Sequence, residues 1–183
     1  MSERKNAWFA LAVLFSINAM NFYDRLIPGA VGESIKKEFQ LSDTALGSLG
    51  TAFILLYATV GIPLGRLSDR FSRRNLLSAG VLVWSLLTAA SGLARNFWQL
   101  VALRLAVGVG EATCAPASSS LIGDLFPARQ RARALSIFML GLPVGNALCF
   151  YLSGRGAKAW GWQAAFYVAL IPGLLCAAGA WLI

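Results

Sequence analysis

GRLSDRFSRRN, Gly65 to Asn75, puts five charged side chains into eleven positions. Apolar sequence walls it on both sides: TAFILLYATVGIPL (51–64) before it and LLSAGVLVWSLLTAASGLA (76–94) after it. Blocks of about 20 apolar residues match the thickness of bilayer hydrocarbon. A short charged turn between two such blocks reads as a loop joining two membrane-crossing helices.

Composition points the same way. Of 183 residues, 57% are hydrophobic and 13% charged, with a mean hydropathy of +0.64, where a soluble domain carries about 25% charge. Open sheet cannot cross lipid, because its unpaired backbone groups go unsatisfied, and the blocks lack the alternation of a barrel. The expected fold is therefore all-α, a polytopic helix bundle filling residues 1–183 as one domain. Six spans are expected, near 7–28, 43–65, 75–95, 97–123, 132–154 and 163–183. The first has a basic start but no clean small-residue cleavage site, so it reads as a retained helix and not a signal peptide. The longest polar stretch, about Gly32 to Asp43, reads as an outer loop.

The net charge of +8 sits in the loops. That fits orientation in a membrane better than nucleic-acid binding. With the N-terminus inside, the cytoplasmic side holds nine Lys and Arg (4, 5, 66, 70, 73, 74, 129, 131, 133). The outer side holds five (36, 37, 95, 155, 158). The positive-inside rule favours this N-in arrangement. The sequence contains no histidine, which removes His-based metal sites, triads and proton shuttles. Cys114, Cys149 and Cys176 lie in apolar stretches at spacings that fit no metal motif. No cofactor, metal site or enzyme chemistry is expected. The last residues, Ala180 to Ile183, are still apolar, from which a chain cut near its sixth span is expected.

The order of residues in the opening stretch goes beyond orientation. Gly65-x-Leu67-Ser68-Asp69-Arg70-x-Ser72-Arg73-Arg74-x-x-Leu77 resembles the loop 2–3 signature of the major facilitator superfamily, with Ser72 where the family commonly has Gly. Further stretches resemble its spinster-like branch. These are Asn21 to Arg25 (NFYDR), Arg104-x-x-x-Gly108-x-Gly110-Glu111-Ala112, Asp124-Leu125-Phe126-Pro127, Arg131-x-Arg133-Ala134 and Pro143-x-Gly145. The resemblance implies the N-terminal six-helix half of a two-bundle secondary transporter. The C-terminal bundle would be absent and would have to be supplied by the missing half or a second copy. It also implies lysolipid- or sphingosine-phosphate-like solutes for eukaryotic members, and a cytoplasmic latch made by the loop. Gly65, Asp69, Arg70, Arg73, Arg74 and Asp124 are the latch candidates. Topology and lipid headgroups alone are the competing account of those charges, although an aspartate contributes little to orientation.

Charges inside the spans bear more directly on chemistry. Each costs about 2.5–3.5 kcal/mol at mid-bilayer on insertion scales, so it meets a partner or a wet cavity. Arg104, Gly108 and Glu111 share one face of the fourth span, and Asn18, Asn21 and Arg25 one face of the first. Two polar stripes predict a polar cavity between the first and fourth spans. Asp24, Arg25, Arg104, Glu111, Asn21 and Tyr57 are its candidate proton-coupling and substrate residues. Glu111 or Asp24 would carry a proton, and Arg25 or Arg104 would hold an anionic headgroup. Static ion pairing between the two spans is the competing account. Arg25, near an outer end, can also snorkel to the surface. Phe22, Tyr23, Phe53, Tyr57 and Phe150 are expected as apolar walls. Pro116 is expected to kink the fourth span. Trp98, Trp160 and Trp162 suit an interfacial belt, while Trp84 sits deeper.

The functional expectation is a proton-coupled secondary transporter working by alternating access on a small amphipathic or anionic solute. The expected location is a bacterial inner (plasma) membrane. Its partners would be that small-molecule or lipid-like solute, the proton and membrane lipids, with no nucleic acid. A lipid-binding membrane scaffold or receptor-like module that does not transport is the alternative.

Overall fold

The computed structural model describes residues 2–68 and 72–183. Asp69 and Arg70 of the expected latch lie outside the described residues. Among the described residues the fold is helical throughout, with no strand. In chain order the helices are α1 (Ser2–Ala30), α2 (Gly32–Phe39), α3 (Asp43–Ser68), α4 (Arg73–Ser91), α5 (Phe97–Glu111), α6 (Cys114–Leu125), α7 (Ala128–Met139), α8 (Gly141–Trp160), α9 (Gln163–Val168) and α10 (Leu170–Trp181).

Side-chain caps start three of the long helices; at the head of α3, Ser42 Oγ accepts from Ala45 N at 3.1 Å. Ser72 Oγ accepts from Asn75 N at 3.5 Å at the head of α4, and Asn96 Oδ1 accepts from Gln99 N at 2.9 Å at the head of α5. Such caps satisfy amides that an intrahelical ladder leaves open. Three expected spans are each built from two helices: α5 with α6, α7 with α8, and α9 with α10. In the fourth, the interruption falls at Ala112–Thr113. Pro116 has no amide to offer the Ala112 carbonyl four residues back, so the disturbance lands beside Glu111, one turn ahead of the proline itself.

Among the described residues, four stretches are long and apolar enough to cross a membrane by length and composition: Asp43–Gly65, Phe97–Leu125, Ala128–Trp160 and Gln163–Trp181. They overlie four of the six expected spans. Over the other two run α1, of 29 residues, and α4, of 19. These carry Asp24–Arg25 and Arg73–Arg74, which dilute their apolar character.

The polar stretch after α1 is not a loop along its length. Gly32–Phe39 is a helix, because Ile35 and Phe39 fall four apart and pack inward. Glu33 in the first turn and Lys36 and Lys37 in the last complement the helix dipole.

Two apolar clusters stack along the bundle. One gathers Leu14, Val81, Trp84, Val107 and Phe138; the other gathers Ile27, Leu100, Trp162 and Phe166. Asn18 to Asp24 lie between the clusters along α1, and Arg104 lies between them along α5. α1 lies closely against α8. A methyl group on Gly145 would sit 2.1 Å from Ala19 O, and one on Gly80 would sit 2.4 Å from Thr113 Oγ1. Only a residue without a Cβ fits either contact. α3 and α8 instead leave broad apolar faces open, with Ile54, Leu55, Ile62, Phe150 and Tyr151 all exposed.

The tryptophans divide differently from expectation. Trp98 and Trp160 are exposed, and Trp84 is core. Trp162 is buried, not interfacial: its ring packs edge-on against Phe39 and Phe166, and Nε1 donates to Glu38 Oε2 at 2.6 Å. That contact ties α2 to the start of α9. The three cysteines are buried and free.

Candidate substrate and ion-coupling site

About two turns of α1 carry the polar face. Asn18, Asn21 and Asp24 are buried, and Arg25 follows with a quarter of its side chain exposed. α5 brings Arg104 and Glu111, both fully buried, two turns apart. Arg25 turns inward instead of snorkelling. Its Nη2 and Nε lie 3.3 and 3.4 Å from Glu111 Oε2, and Nη2 also donates to Asn21 Oδ1 at 3.2 Å. Its guanidinium is boxed by Tyr57, Phe22 and Phe53 at 4.3, 5.2 and 5.5 Å from the ring centres. Arg104 lies 5.6 Å from the centre of the Phe53 ring. Aromatic faces attract cations, more so where water is excluded, so Phe22, Phe53 and Tyr57 hold Arg25 in place while its charge meets Glu111.

Arg104 engages α1 differently. Its Nη2 donates to the Asp24 main-chain carbonyl at 2.9 Å, and Nη1 makes no hydrogen bond although it is buried. The Asp24 side chain faces α4. Thr88 Oγ1 lies 3.4 Å from Oδ2, Trp84 stands beside the carboxyl group, and Oδ1 is buried without a hydrogen bond. Glu111 Oε1 and Asn21 Nδ2 are also buried and unpartnered. A buried polar atom without a partner is costly, so this cluster of open donors and acceptors is the candidate place for a polar ligand or water.

A cavity of about 510 Å³ opens beside the cluster, within the usual range for small-molecule sites. Its walls are the C-terminal end of α1 and the N-terminal half of α3, with Arg25, Arg104, Phe53, Leu49, Gly50 and Pro28 among its lining. The expected position between the first and fourth spans is thus corrected: α3, the second span, is the principal facing wall. Arg25 and Arg104 reach the cavity. Asn21, Asp24, Glu111 and Tyr57 stand behind that lining. Two expected wall residues face elsewhere: Tyr23 accepts from Ser153 Oγ of α8 at 3.2 Å, and Phe150 is exposed. Asn18 also leaves the polar stripe, donating to Phe138 O at 2.8 Å.

Sequence reasoning missed α4. Ser78, Trp84, Ser85, Thr88 and Ser91 are all buried on its inner side. The available signal was small polar residues recurring at helical spacing (78, 85, 88) within an apolar run, a weak pattern because isolated Ser and Thr are common in such spans.

At the far end of the bundle Arg73 forms an ion pair with Asp124, joining the start of α4 to the end of α6. Arg74 lies 5.8 Å from the Trp181 ring, and Arg131 Nε donates to Phe126 O at 3.0 Å. Gly65 lies in the last turns of α3. Of the expected latch, Arg73 and Asp124 are brought together.

Comparison with known proteins places this geometry among transporters. The Major Facilitator Superfamily profile matches residues 10–183. Human protein spinster homolog 1 is 39% identical over 168 residues, covering 90% of this chain and 31% of the relative. A zebrafish (Danio rerio) sphingosine-1-phosphate transporter is 35% identical, covering 90% and 33%. An MFS-type efflux pump of Mycolicibacterium smegmatis is 30% identical, covering 90% and 38%. The chain thus spans about a third of the length of these curated relatives. Among solved structures, a bacterial homolog of the human lysosomal transporter spinster, inward-facing and unoccupied, aligns with a TM-score of 0.84 at 32% identity. That alignment covers 96% of this chain and 42% of the other. The proton:xylose symporter XylE shares the fold, with a TM-score of 0.87 at 20% identity.

Proposed function

This chain belongs to the Major Facilitator Superfamily, and from that premise we propose that it works within a proton-coupled secondary transporter operating by alternating access. The family is one of integral multi-pass membrane transporters and not of enzymes. The solute we propose is small and amphipathic or anionic, with lysolipid- and sphingolipid-like molecules as the leading class. Six spans, with the N-terminus in the cytoplasm of a bacterial cell, complete the proposal. So does a second six-helix bundle, or a second copy, covering the open faces of α3 and α8.

The observation that carries this reading is the Arg25–Glu111 pair held beside Arg104 at the edge of an otherwise apolar cavity. Two cations at one end of a greasy chamber suit a solute with an anionic head and an apolar body. A carboxylate paired to one of those cations gives the solute a competitor for the same guanidinium. A proton taken by Glu111 frees Arg25, so proton and solute are coupled through one side chain. The sphingosine-1-phosphate transporter among the relatives supports the solute class. The Arg73–Asp124 pair supports a latch at the cytoplasmic end, whose making and breaking accompanies the rocking motion.

The experiment is reconstitution of the full-length protein in proteoliposomes under an imposed pH gradient, with sphingosine-1-phosphate and a lysophospholipid as probes. Gradient-driven uptake that is lost in Glu111→Gln is expected. Binding of the probes without gradient-driven uptake would favour the non-transporting lipid-binding module. Uptake that ignores the gradient and survives both Glu111→Gln and Asp24→Asn would remove the proton from the scheme.

A further inference from the structure

We propose that Thr88 is a positioning residue for Asp24, turning its carboxyl group so that Oδ2 is engaged by α4 and Oδ1 is the oxygen left to carry a proton. The inference rests on the proton-coupled reading above and adds to it a residue from the third span.

The behaviour of the Thr88 hydroxyl sets it apart. A hydroxyl in a helix ordinarily donates to the carbonyl four residues back. Ser16, Thr51, Thr59, Ser91 and Ser136 all do so here, at 2.9–3.3 Å. Thr88, fully buried on α4, instead points across the bundle to Asp24 Oδ2 at 3.4 Å. The contact is long for an O–H···O bond, so its energy is modest. Its direction still selects one oxygen of two. Trp84, one turn earlier on the same face, is fully buried with Nε1 unpartnered.

Among the described residues no charged group hydrogen-bonds the Asp24 carboxyl group. On α5, Arg104 Nη2 donates to the Asp24 main-chain carbonyl while its Nη1 makes no hydrogen bond, and Glu111 is paired to Arg25. Arg25, the next residue on α1, turns to Glu111 and the aromatic box. The titratable groups of the other packed helices, Cys149 on α8 and Cys176 on α10, are buried thiols that give a carboxylate no charge to pair with. Two neutral groups of α4 face the carboxylate, the Trp84 indole and the Thr88 hydroxyl; of the two, the hydroxyl is the one within hydrogen-bond distance, at Oδ2. With Oδ2 engaged, a proton arriving at Asp24 goes to Oδ1, and Oδ2 becomes the carbonyl oxygen that accepts from Thr88.

Infrared difference spectroscopy of the full-length protein in lipid, titrated across pH, tests this without knowledge of the solute. The protonated Asp24 carbonyl band is identified as the one lost in Asp24→Asn. A hydrogen bond to a carbonyl weakens its stretch. Thr88→Val, which keeps the shape and removes the hydroxyl, is therefore expected to move that band to higher wavenumber, and Thr88→Ser to return it. A band present in Thr88→Val at its original position overturns the proposal while leaving Asp24 as a proton carrier. Absence of any pH-dependent band lost in Asp24→Asn overturns the proton role of Asp24 itself, and the positioning role with it. A shift that Thr88→Ser fails to reverse assigns the effect to packing and also overturns it.

Discussion

Two arginine–carboxylate pairs sit at different depths of this bundle, and the difference between them lies in water. Arg73–Asp124 is partly open, with a third of the arginine side chain and almost two-thirds of the aspartate exposed. Arg25–Glu111 has a quarter of the arginine exposed and none of the glutamate, with three aromatic rings around the guanidinium. An exposed pair trades one set of hydrogen bonds for another of similar strength, so it is easily made and broken. A buried pair has already lost its hydration, so each member depends on the other. On the proposed transport cycle, the first suits a contact that opens on every turn. The second suits a contact that opens only when a proton or an anion takes one partner's place.

The comparison breaks most directly at the buried end. Arg25→Met strands the Glu111 carboxylate and is expected to cost about 3 kcal/mol of stability, the lower part of the range for buried pairs because Arg25 is partly wet. Adding Glu111→Gln to that background should recover most of the loss. Thermal unfolding of the single and double variants in detergent measures both; a loss unchanged in the double variant would show that the aromatic box, and not the pair, holds Arg25. Next in size is Gly145→Ala. Its new methyl meets the α1 backbone at Ala19, and overpacking of this kind costs about 1–3 kcal/mol. Thermal unfolding should show that loss, and proteoliposome uptake should fall further than the Arg73–Asp124 pair is disturbed, because the methyl displaces the polar face of α1.

Asp124→Asn should cost under about 1 kcal/mol yet, on the proposed alternating-access reading, change the balance between inward- and outward-open states, read from spin-label or fluorophore distances across the Arg73–Asp124 end. Raising salt should imitate it there and leave the buried pair unmoved, since exposed charges are screened and buried ones much less. The smallest effect belongs to a third pair. Lys36 bonds to Asp43 between α2 and α3, and that bond holds the ammonium above its ordinary 10.5. Because the folded value is raised, the contribution is fully present below the ordinary lysine range and is lost as pH rises through the folded value. Hydrogen exchange of α2 should quicken in that alkaline window, and Asp43→Asn should abolish the change.

How far the site was legible depended on where each residue's partner lay. Arg25, Arg104 and Glu111 could be picked out because a charge in an apolar span is conspicuous by its cost, and their helical spacing put Arg104 and Glu111 on one face. That Arg25 would turn inward could not be read, since its stem reaches the surface equally well; the rings of Phe53 and Tyr57, about thirty residues away along the chain, decide it. Thr88 carried no visible cost, because a threonine in a helix can satisfy itself on its own backbone. The α2 helix was read as a loop because its polar residues outnumber Ile35 and Phe39, the two that anchor it.

Sequence alone determined that this chain is a bundle of membrane helices with a charged stretch after residue 65, because burying charge in hydrocarbon is so costly that the pattern of apolar blocks has few other solutions. It also determined the family, since the order of charges in that stretch goes beyond what orientation requires. Tertiary structure decided which partner each charge takes, which wall the cavity has, and which oxygen of Asp24 is free. Those depend on side chains far apart in the chain meeting within a few ångströms, and helical periodicity fixes a residue's face but not the neighbour that face will meet.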